Sequence, residues 1–513
     1  MNRIDILQES YEKFGAFVYL VYEGREVTNV DCDSISSQMA RAMMELGVGK
    51  GDRVVVTMPN RPEVVFAYHA IAKAGAVAVP VMPLLQTQEI RFIAMDCAPK
   101  LVVTSDMLLG KVQEAVGELP QKPIVVSVDA DANAGEAGAL NRIAASQPDL
   151  APNVQVDAND PGVILYTSGT TGRPKGVVLT HANLYSNAQS AAQLAIEYAG
   201  SEGNWVGLVI LPLSHAFGFT MMNSTAMAGA RDILLPYFDP VLVFSTIEKY
   251  KVTHFSGVPA MFHAMLTHAD ADKYDLSSLS QCVSGSAPLS AAVKAQFEQK
   301  FGCTIYEGYG LSEAAPVVTA PRKGFPVKPG SVGLPIPGVE VKVVDERGNA
   351  LAAGEVGELT VKGPNVTQGY LNLPEETQKV IQDGWLYTGD MAKIDDEGYV
   401  YIVERKKDVI IRGGFNVYPR DLEELLATHP AVAEVSVVGT PSEAMGEEVV
   451  AFVVKRRGVD VTEADLISFC QDRLAKYKTP RYLKFVGYLP KTMIGKTDKK
   501  VLREWAREAS SSS

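Results

Sequence analysis

Residues 53–81 read RVVVTMPNRPEVVFAYHAIAKAGAVAVPV. The run 53–58 is a short apolar, β-branched block of the kind that forms a buried strand. Asn60 offers a helix cap, and Val64, Val65, Tyr68, Ile71 and Ala74 follow at helical spacing. Residues 77–81 make a second strand, 88–96 a helix and 101–104 a third strand. A βαβαβ rhythm implies parallel sheet covered by helices. Residues 129–139 are rich in Ala, Gly and Asp and are expected to form a surface loop.

The rhythm resumes after Asp160. Strands are expected at 163–166, 208–211, 252–256, 281–284 and 304–309. Asp239-Pro240 opens a helix with Val243, Phe244 and Ile247 on one face, and Pro at the first helical position suits that start. A further helix is expected over 288–301. From 331 to 404 short strands (339–344, 357–362, 391–394, 399–403) are split by the turns Glu346-Arg347-Gly348-Asn349 and Asp395-Asp396-Glu397-Gly398. That predicts a small antiparallel, barrel-like β unit. After Arg405-Lys406-Lys407-Asp408 the pattern becomes compact α+β. Its helices start near Pro419 and near Thr462, where Thr462 and Asp465 resemble a weakened capping box. The expected fold is α/β: a large N-terminal domain, 1–404, of two α/β subdomains and the β unit, then a small α+β domain, 405–513.

The chain has 513 residues, 47% hydrophobic and 21% charged, with 48 Lys or Arg against 60 Asp or Glu, net −12. That balance argues against a nucleic-acid binder, which carries a basic domain or stripe. Residues 405–513 hold 19 cations against 15 anions, net +4, which leaves 29 against 45, net −16, in residues 1–404. Lys476, Lys478, Arg481, Lys484, Lys491, Lys496, Lys499 and Lys500 have only Asp498 among them. The stretch reads either as a solvated face or as a basic surface for a phosphorylated ligand. The five cysteines show no C-x-x-C pair, which suits a reducing cytosol and predicts cytoplasmic localisation. The seven histidines show no H-E-x-x-H. The N-terminus has no signal pattern. The longest uncharged run, 203–230, holds Pro212, His215 and Asn223, so it reads as protein interior rather than a membrane span. Peripheral membrane association stays open, and oligomeric state is not legible.

YTSGTTGRPKG (166–176) follows an apolar strand and is dense in Gly, Ser and Thr. Such a loop can turn backbone N–H groups and hydroxyls toward phosphate oxygens, with Lys175 adding a point charge. It is not a Walker A loop, because Gly172 is followed by Arg173-Pro174-Lys175-Gly176. Together with PLSHAFG (212–218), GSAPLS (285–290), YEGYGLSE (306–313), YTGD (387–390), ERKKDVIIRGGFNVYP (404–419) and PKTMIGK (490–496), it makes the chain resemble the adenylate-forming superfamily from end to end. The similarity is to its acyl-CoA synthetase branch.

The resemblance implies that a carboxylic acid and ATP form an acyl adenylate and pyrophosphate, and that coenzyme A then displaces AMP. It assigns the ATP phosphates to Thr167, Ser168, Gly169, Thr170, Thr171 and Lys175. Glu313 is similar to a Mg²⁺-holding glutamate, a hard acid–hard base match. Ser312 keeps the hydroxyl where many relatives have Thr, beside Gly310. Tyr309 would stack on adenine across from Gly285, Ser286 and Ala287. Asp390 and Arg405 would meet the ribose. Lys496, in a P-x-x-x-x-G-K frame, matches the lysine that reaches the carboxylate and the α-phosphate. Lys407 matches a hinge after which the C-terminal domain rotates, bringing Arg412, Gly413 and Gly414 to the coenzyme A thiol. His215, Phe217, Val258 and Gly285 would line the acyl pocket, His215 also standing among the catalytic candidates with Lys496 and Glu313. No acid lies in 212–218, which disfavours amino acids. A medium- or long-chain fatty acid is the expected substrate; an aromatic or alicyclic acid, or a carrier protein in place of coenzyme A, are the alternatives. The reading from another class is a catalytically inactive ATP-binding regulatory protein, against which the intact Lys496, Glu313 and Asp390 argue.

Overall fold

The computed structural model describes residues 2–129, 139–167, 174–200, 202–203, 205–456, 458–491 and 496–511. The chain divides into two compact units, one of Met1–Val341 with Val361–Tyr387, the other of Lys342–Thr360 with Thr388–Ser513. The second unit contains all of 405–513 and takes in 342–360 and 388–404 besides. The expected 129–139 loop falls, apart from its two end residues, outside the described residues.

The first unit holds two seven-stranded sheets. One runs Gly369–Tyr370, Lys175–Thr180, Pro161–Thr167, Val77–Pro80, Arg53–Thr57, Leu101–Thr104, Ile124–Ser127. Its last five strands are parallel, as the βαβ rhythm predicts, and its first two are antiparallel. Val54, Val55 and Val56 are all buried, which is the reason for an unbroken valine run: parallel strands are covered on both faces. The helix Pro62–Lys73 is buried at every position but Glu63, so it lies within the core rather than over it.

The other sheet runs Thr304–Glu307, Gln281–Ser284, His254–Gly257, Val206–Val209, Arg231–Leu234, Val18–Tyr22, Arg25–Thr28. All neighbours are parallel except the N-terminal hairpin Val18–Tyr22 with Arg25–Thr28. The expected strand at 304–309 breaks at Gly308, and the expected helix at 288–301 starts only at Ala291.

In the second unit the long antiparallel hairpin Val432–Ser442 with Gly446–Lys455 carries Ile410–Arg412, Phe415–Val417 and Tyr482–Phe485 on its sheet. Helices Pro419–Ala427 and Glu463–Gln471 begin as expected. Leu422, Leu426, Val437, Val449, Leu466 and Cys470 close the core. The Thr462 capping box is complete: Thr462 N–H donates to Asp465 at 2.9 Å and Asp465 N–H to Thr462 Oγ1 at 3.2 Å. The expected strand 391–394 is longer, Trp385–Ile394, and runs straight through the Thr-Gly-Asp that reads as a turn.

Among the described residues no helix is long and apolar enough to cross a membrane. The five cysteines are buried free thiols.

Candidate active site

In the first unit the candidate residues gather where parallel strands end. His254–Gly257, Gln281–Ser284 and Thr304–Glu307 are neighbours in register, so Val258, Gly285-Ser286-Ala287 and Tyr309-Gly310 leave the same edge of the sheet. Open α/β sheets bind ligands at the carboxyl ends of their strands. Gly285 N–H donates to Gly257 O at 3.2 Å. A Cβ on Gly285 would lie 2.9 Å from Phe217 Cε1, so the Phe217 ring rests on a backbone that only glycine provides. Ser286 holds a left-handed φ of +69°, a strained conformation for a residue with a side chain. His215 caps the helix Ala216–Met227, its Nδ1 accepting the Phe217 N–H at 3.3 Å. Val258 caps the helix Pro259–Thr267. Phe217 thus lies against Gly285, Gly285 is bonded to Gly257 next to Val258, and His215 sits at the start of the Phe217 helix, with no carboxylate in 212–218.

The residues that the resemblance assigns to the phosphates flank the antiparallel pair Pro161–Thr167 and Lys175–Thr180, in which Thr167 faces Lys175. Ser168, Gly169, Thr170 and Thr171 lie outside the described residues. Lys175 pairs with Glu376 at 2.7 Å, with side chains 12% and 30% exposed. Its ammonium also sits 5.1 Å from the centre of the Tyr370 ring. The Tyr370 hydroxyl donates to Glu313 Oε1 at 2.8 Å. Glu313 lies in the short turn Ser312–Ala314, and its carbonyl accepts the Thr367 N–H at 2.8 Å. Lys175 and Glu313, far apart in sequence, are therefore linked through one tyrosine. Among the described residues no cluster of three or more His, Cys, Asp or Glu could hold a metal ion. A single half-buried carboxylate suits Mg²⁺, which takes one or two carboxylates and fills its remaining positions with phosphate and water.

The second unit brings another set together. Asp390 and Arg405 are cross-strand partners, and Arg405 Nε meets Asp390 Oδ1 at 2.8 Å. The Asp390 side chain is 4% exposed and the Arg405 side chain 46%, so a buried acid is presented behind an open guanidinium. Burial, and then the positive charge of Arg405, lowers the Lys496 ammonium from its ordinary range, while Asp390 pulls it back up. Lys496, Arg405 and Asp390 are thus within electrostatic reach of one another. The next residues are fastened. Lys499 reaches Glu423 at 3.0 Å and Glu404 at 3.8 Å, and Arg503 pairs with Asp408.

Lys407 is exposed in the turn Lys406–Asp408. Both neighbours are anchored, Lys406 to Glu358 at 2.8 Å and Asp408 to Arg503. Arg412 pairs with Glu448 at 2.7 Å and donates to the carbonyls of Tyr477 and Thr479 at 3.1 and 2.9 Å. Its guanidinium therefore ties the unit together, and Gly413 and Gly414, with φ of +58° and +82°, form the turn beyond it. In the basic stretch, Lys478, Lys491 and Lys499 pair with Asp421, Glu434 and Glu423.

Tyr370, Glu376, Glu358 and Glu448 stand outside every motif read from the sequence. The Gly369-Tyr370 step is a local signal for the first of them.

The AMP-binding enzyme family model matches residues 7–371, and the AMP-binding enzyme C-terminal domain model matches 421–496. A long-chain-fatty-acid–CoA ligase of Bacillus subtilis is 38% identical, over 97% of this chain and 93% of its own. ATP-bound MatB from Rhodopseudomonas palustris superposes with a TM-score of 0.91 at 31% identity, covering 99% of this chain and 100% of that one. The anthranilate CoA ligase AuaEII in complex with anthranoyl-AMP gives 0.90 at 29% identity, covering 100% and 98%.

Proposed function

The chain belongs to the AMP-binding enzyme family, and from that premise we propose that it activates a medium- or long-chain fatty acid with ATP and transfers the acyl group to coenzyme A. It is an AMP-forming acid–thiol ligase of the acyl-CoA synthetase kind. In the first step a carboxylate oxygen attacks the α-phosphorus and pyrophosphate leaves. In the second the sulfur of coenzyme A attacks the acyl carbonyl, AMP leaves, and the thiol proton is lost.

The observation that carries the reading is Lys496 in the field of Asp390 and Arg405. Asp390 and Arg405 hold the ribose hydroxyls, one accepting and one donating. Lys496 offsets the repulsion between carboxylate and α-phosphate and stabilises the charge that develops between them. Thr167 and Lys175 hold the outer phosphates, and Glu313 supplies the carboxylate for Mg²⁺. When bound, Mg²⁺ neutralises phosphate charge and steadies the departing pyrophosphate. Tyr309 faces adenine beside Gly285, Ser286 and Ala287, and Gly310 and Ser312 border the same turn. Lys407 is the hinge between the two half-reactions, and Gly413 and Gly414 give the pantetheine arm a thin backbone to pass. The domains that act in this cycle are 1–404 and 405–513.

An apolar wall of His215, Phe217, Val258 and Gly285 supports an aliphatic tail, as does the name of the Bacillus subtilis relative. Buried free thiols support a cytoplasmic location. The test is acyl-CoA formation with ATP, Mg²⁺ and a panel of octanoate, palmitate, oleate, benzoate and 4-coumarate. Fatty acids should give the highest kcat/KM. Preference for an aromatic acid would replace the substrate, and acyl transfer to a carrier protein but not to coenzyme A would replace the acceptor.

A further inference from the structure

Tyr370 joins the two charged groups assigned above to the triphosphate and its metal. Its hydroxyl donates to Glu313 Oε1 at 2.8 Å, and its ring face carries the Lys175 ammonium at 5.1 Å. Both contacts come from one rigid side chain. A tyrosine has only two side-chain torsions, so a fixed backbone fixes its ring at low entropic cost.

The backbone is fixed from three sides. Gly369 and Tyr370 pair with Val178 and Val177 of the strand that begins at Lys175. The Leu371 N–H donates to Gly176 O at 2.7 Å. The Tyr370 N–H donates to Thr377 Oγ1 at 2.9 Å. Gly369 has φ +133°, and a Cβ there would lie 2.3 Å from Thr377 Cγ2, so glycine is what lets this hydroxyl approach. On the far side, Glu376 holds Lys175 at 2.7 Å.

We infer that Tyr370 is a positioning residue for adenylation: its hydroxyl fixes the rotation of the Glu313 carboxylate so that the second oxygen is offered to Mg²⁺, while its ring fixes the Lys175 ammonium beside the phosphates. The inference rests on the assignment of Glu313 and Lys175 proposed above. A tyrosine that served packing alone would make neither charge-directed contact. A cation on an aromatic face is attracted by the ring's negative face, and a hydrogen bond to an ionised acceptor is about twice as strong as a neutral one.

The experiment uses the full chain. Tyr370→Phe keeps the ring and the cation contact and removes the hydroxyl. The Mg²⁺ concentration that half-saturates pyrophosphate release should rise about tenfold. ATP affinity measured by calorimetry in EDTA and the thermal midpoint of the free protein should stay at the wild-type values. Tyr370→Leu should in addition weaken ATP binding in EDTA, because Lys175 loses its ring. In a Glu313→Gln background, Tyr370→Phe should add nothing. An unchanged Mg²⁺ requirement in Tyr370→Phe, beside a Glu313→Gln that raises it, would overturn the inference alone. Full additivity of the two would do the same. A Glu313→Gln with unchanged Mg²⁺ dependence would overturn the Glu313 assignment, and the role of Tyr370 with it.

Discussion

Replacing Lys496 by alanine should separate the two half-reactions. Lys496 is half-buried, and burial with Arg405 already lowers its pKa. An effective dielectric near 20 therefore fits it better than that of water. Two unit charges about 4 Å apart then attract by about 4 kcal/mol, against about 1 kcal/mol in water. Part of that attraction exists before reaction, because phosphate and carboxylate are anions in the ground state, so it shows in KM as well as kcat, and kcat/KM, referenced to free enzyme and substrate, carries the whole. Pyrophosphate release should therefore lose roughly 10²–10³-fold in kcat/KM, the equivalent of about 3–4 kcal/mol. Thioester formation from a supplied acyl adenylate should stay within about threefold of wild type, since the rotation proposed about Lys407 withdraws this ammonium before the thiol attacks. The assays are continuous pyrophosphate detection and AMP release from acyl adenylate plus coenzyme A. Equal losses in both steps, or a loss below about tenfold in the first, would refute the role given to Lys496.

Three further outcomes are expected. Gly285→Ala puts a Cβ 2.9 Å from Phe217 Cε1 and should raise KM for long acids by about tenfold, with less effect on octanoate, since overpacking of this kind costs about 1–3 kcal/mol; KM unchanged across chain lengths would remove Phe217 and Gly285 from the acyl wall. Burial, and after it Arg405, lowers the Lys496 pKa, so wild-type adenylation should lose its ammonium, and its rate, on an alkaline limb below the ordinary 10.5, and Arg405→Met should move that limb part of the way back up in a pH profile of kcat/KM; an unmoved limb would deny the coupling. Burial chiefly holds His181 at a pKa of about 4 in the folded chain, against 6.5 in the unfolded one. The unfolded state then takes up a proton first as pH falls, so stability is full above pH 6.5 and is lost toward pH 4, by about 2 kcal/mol at pH 5; the drop in thermal midpoint between pH 7 and pH 5 should shrink in His181→Leu.

The strands Arg53–Thr57, Val77–Pro80 and Leu101–Thr104 were legible because their valines are buried on both faces, which leaves short apolar runs. Helix starts were legible at Pro240, Pro419 and Thr462, whereas the helix expected from Pro288 begins at Ala291. The strand that carries Asp390 was not, because Thr388-Gly389-Asp390 reads as a turn, and its strand character comes from pairing with Val400–Arg405. Residues 1–28 supply a hairpin to a sheet whose other strands lie beyond residue 200, a connection that local pattern does not carry. Candidate site residues inside the ordered motifs could be named from the sequence. Their partners could not: Tyr370 meets Glu313 from 57 residues away, and Arg412, which the resemblance assigns to coenzyme A, has its guanidinium held by Glu448 and two carbonyls. The basic stretch resolves in the same way. Lys496 lies beside a buried acid and a guanidinium, whereas Lys478, Lys491 and Lys499 face acids of their own unit.

The central claim, that a carboxylate attacks the α-phosphate before any thiol takes part, is tested most directly by exchange of labelled pyrophosphate into ATP without coenzyme A. The account predicts exchange that requires both Mg²⁺ and a fatty acid and that falls by orders of magnitude in Lys496→Ala. Exchange that needs coenzyme A, or that proceeds without any acid, would contradict it.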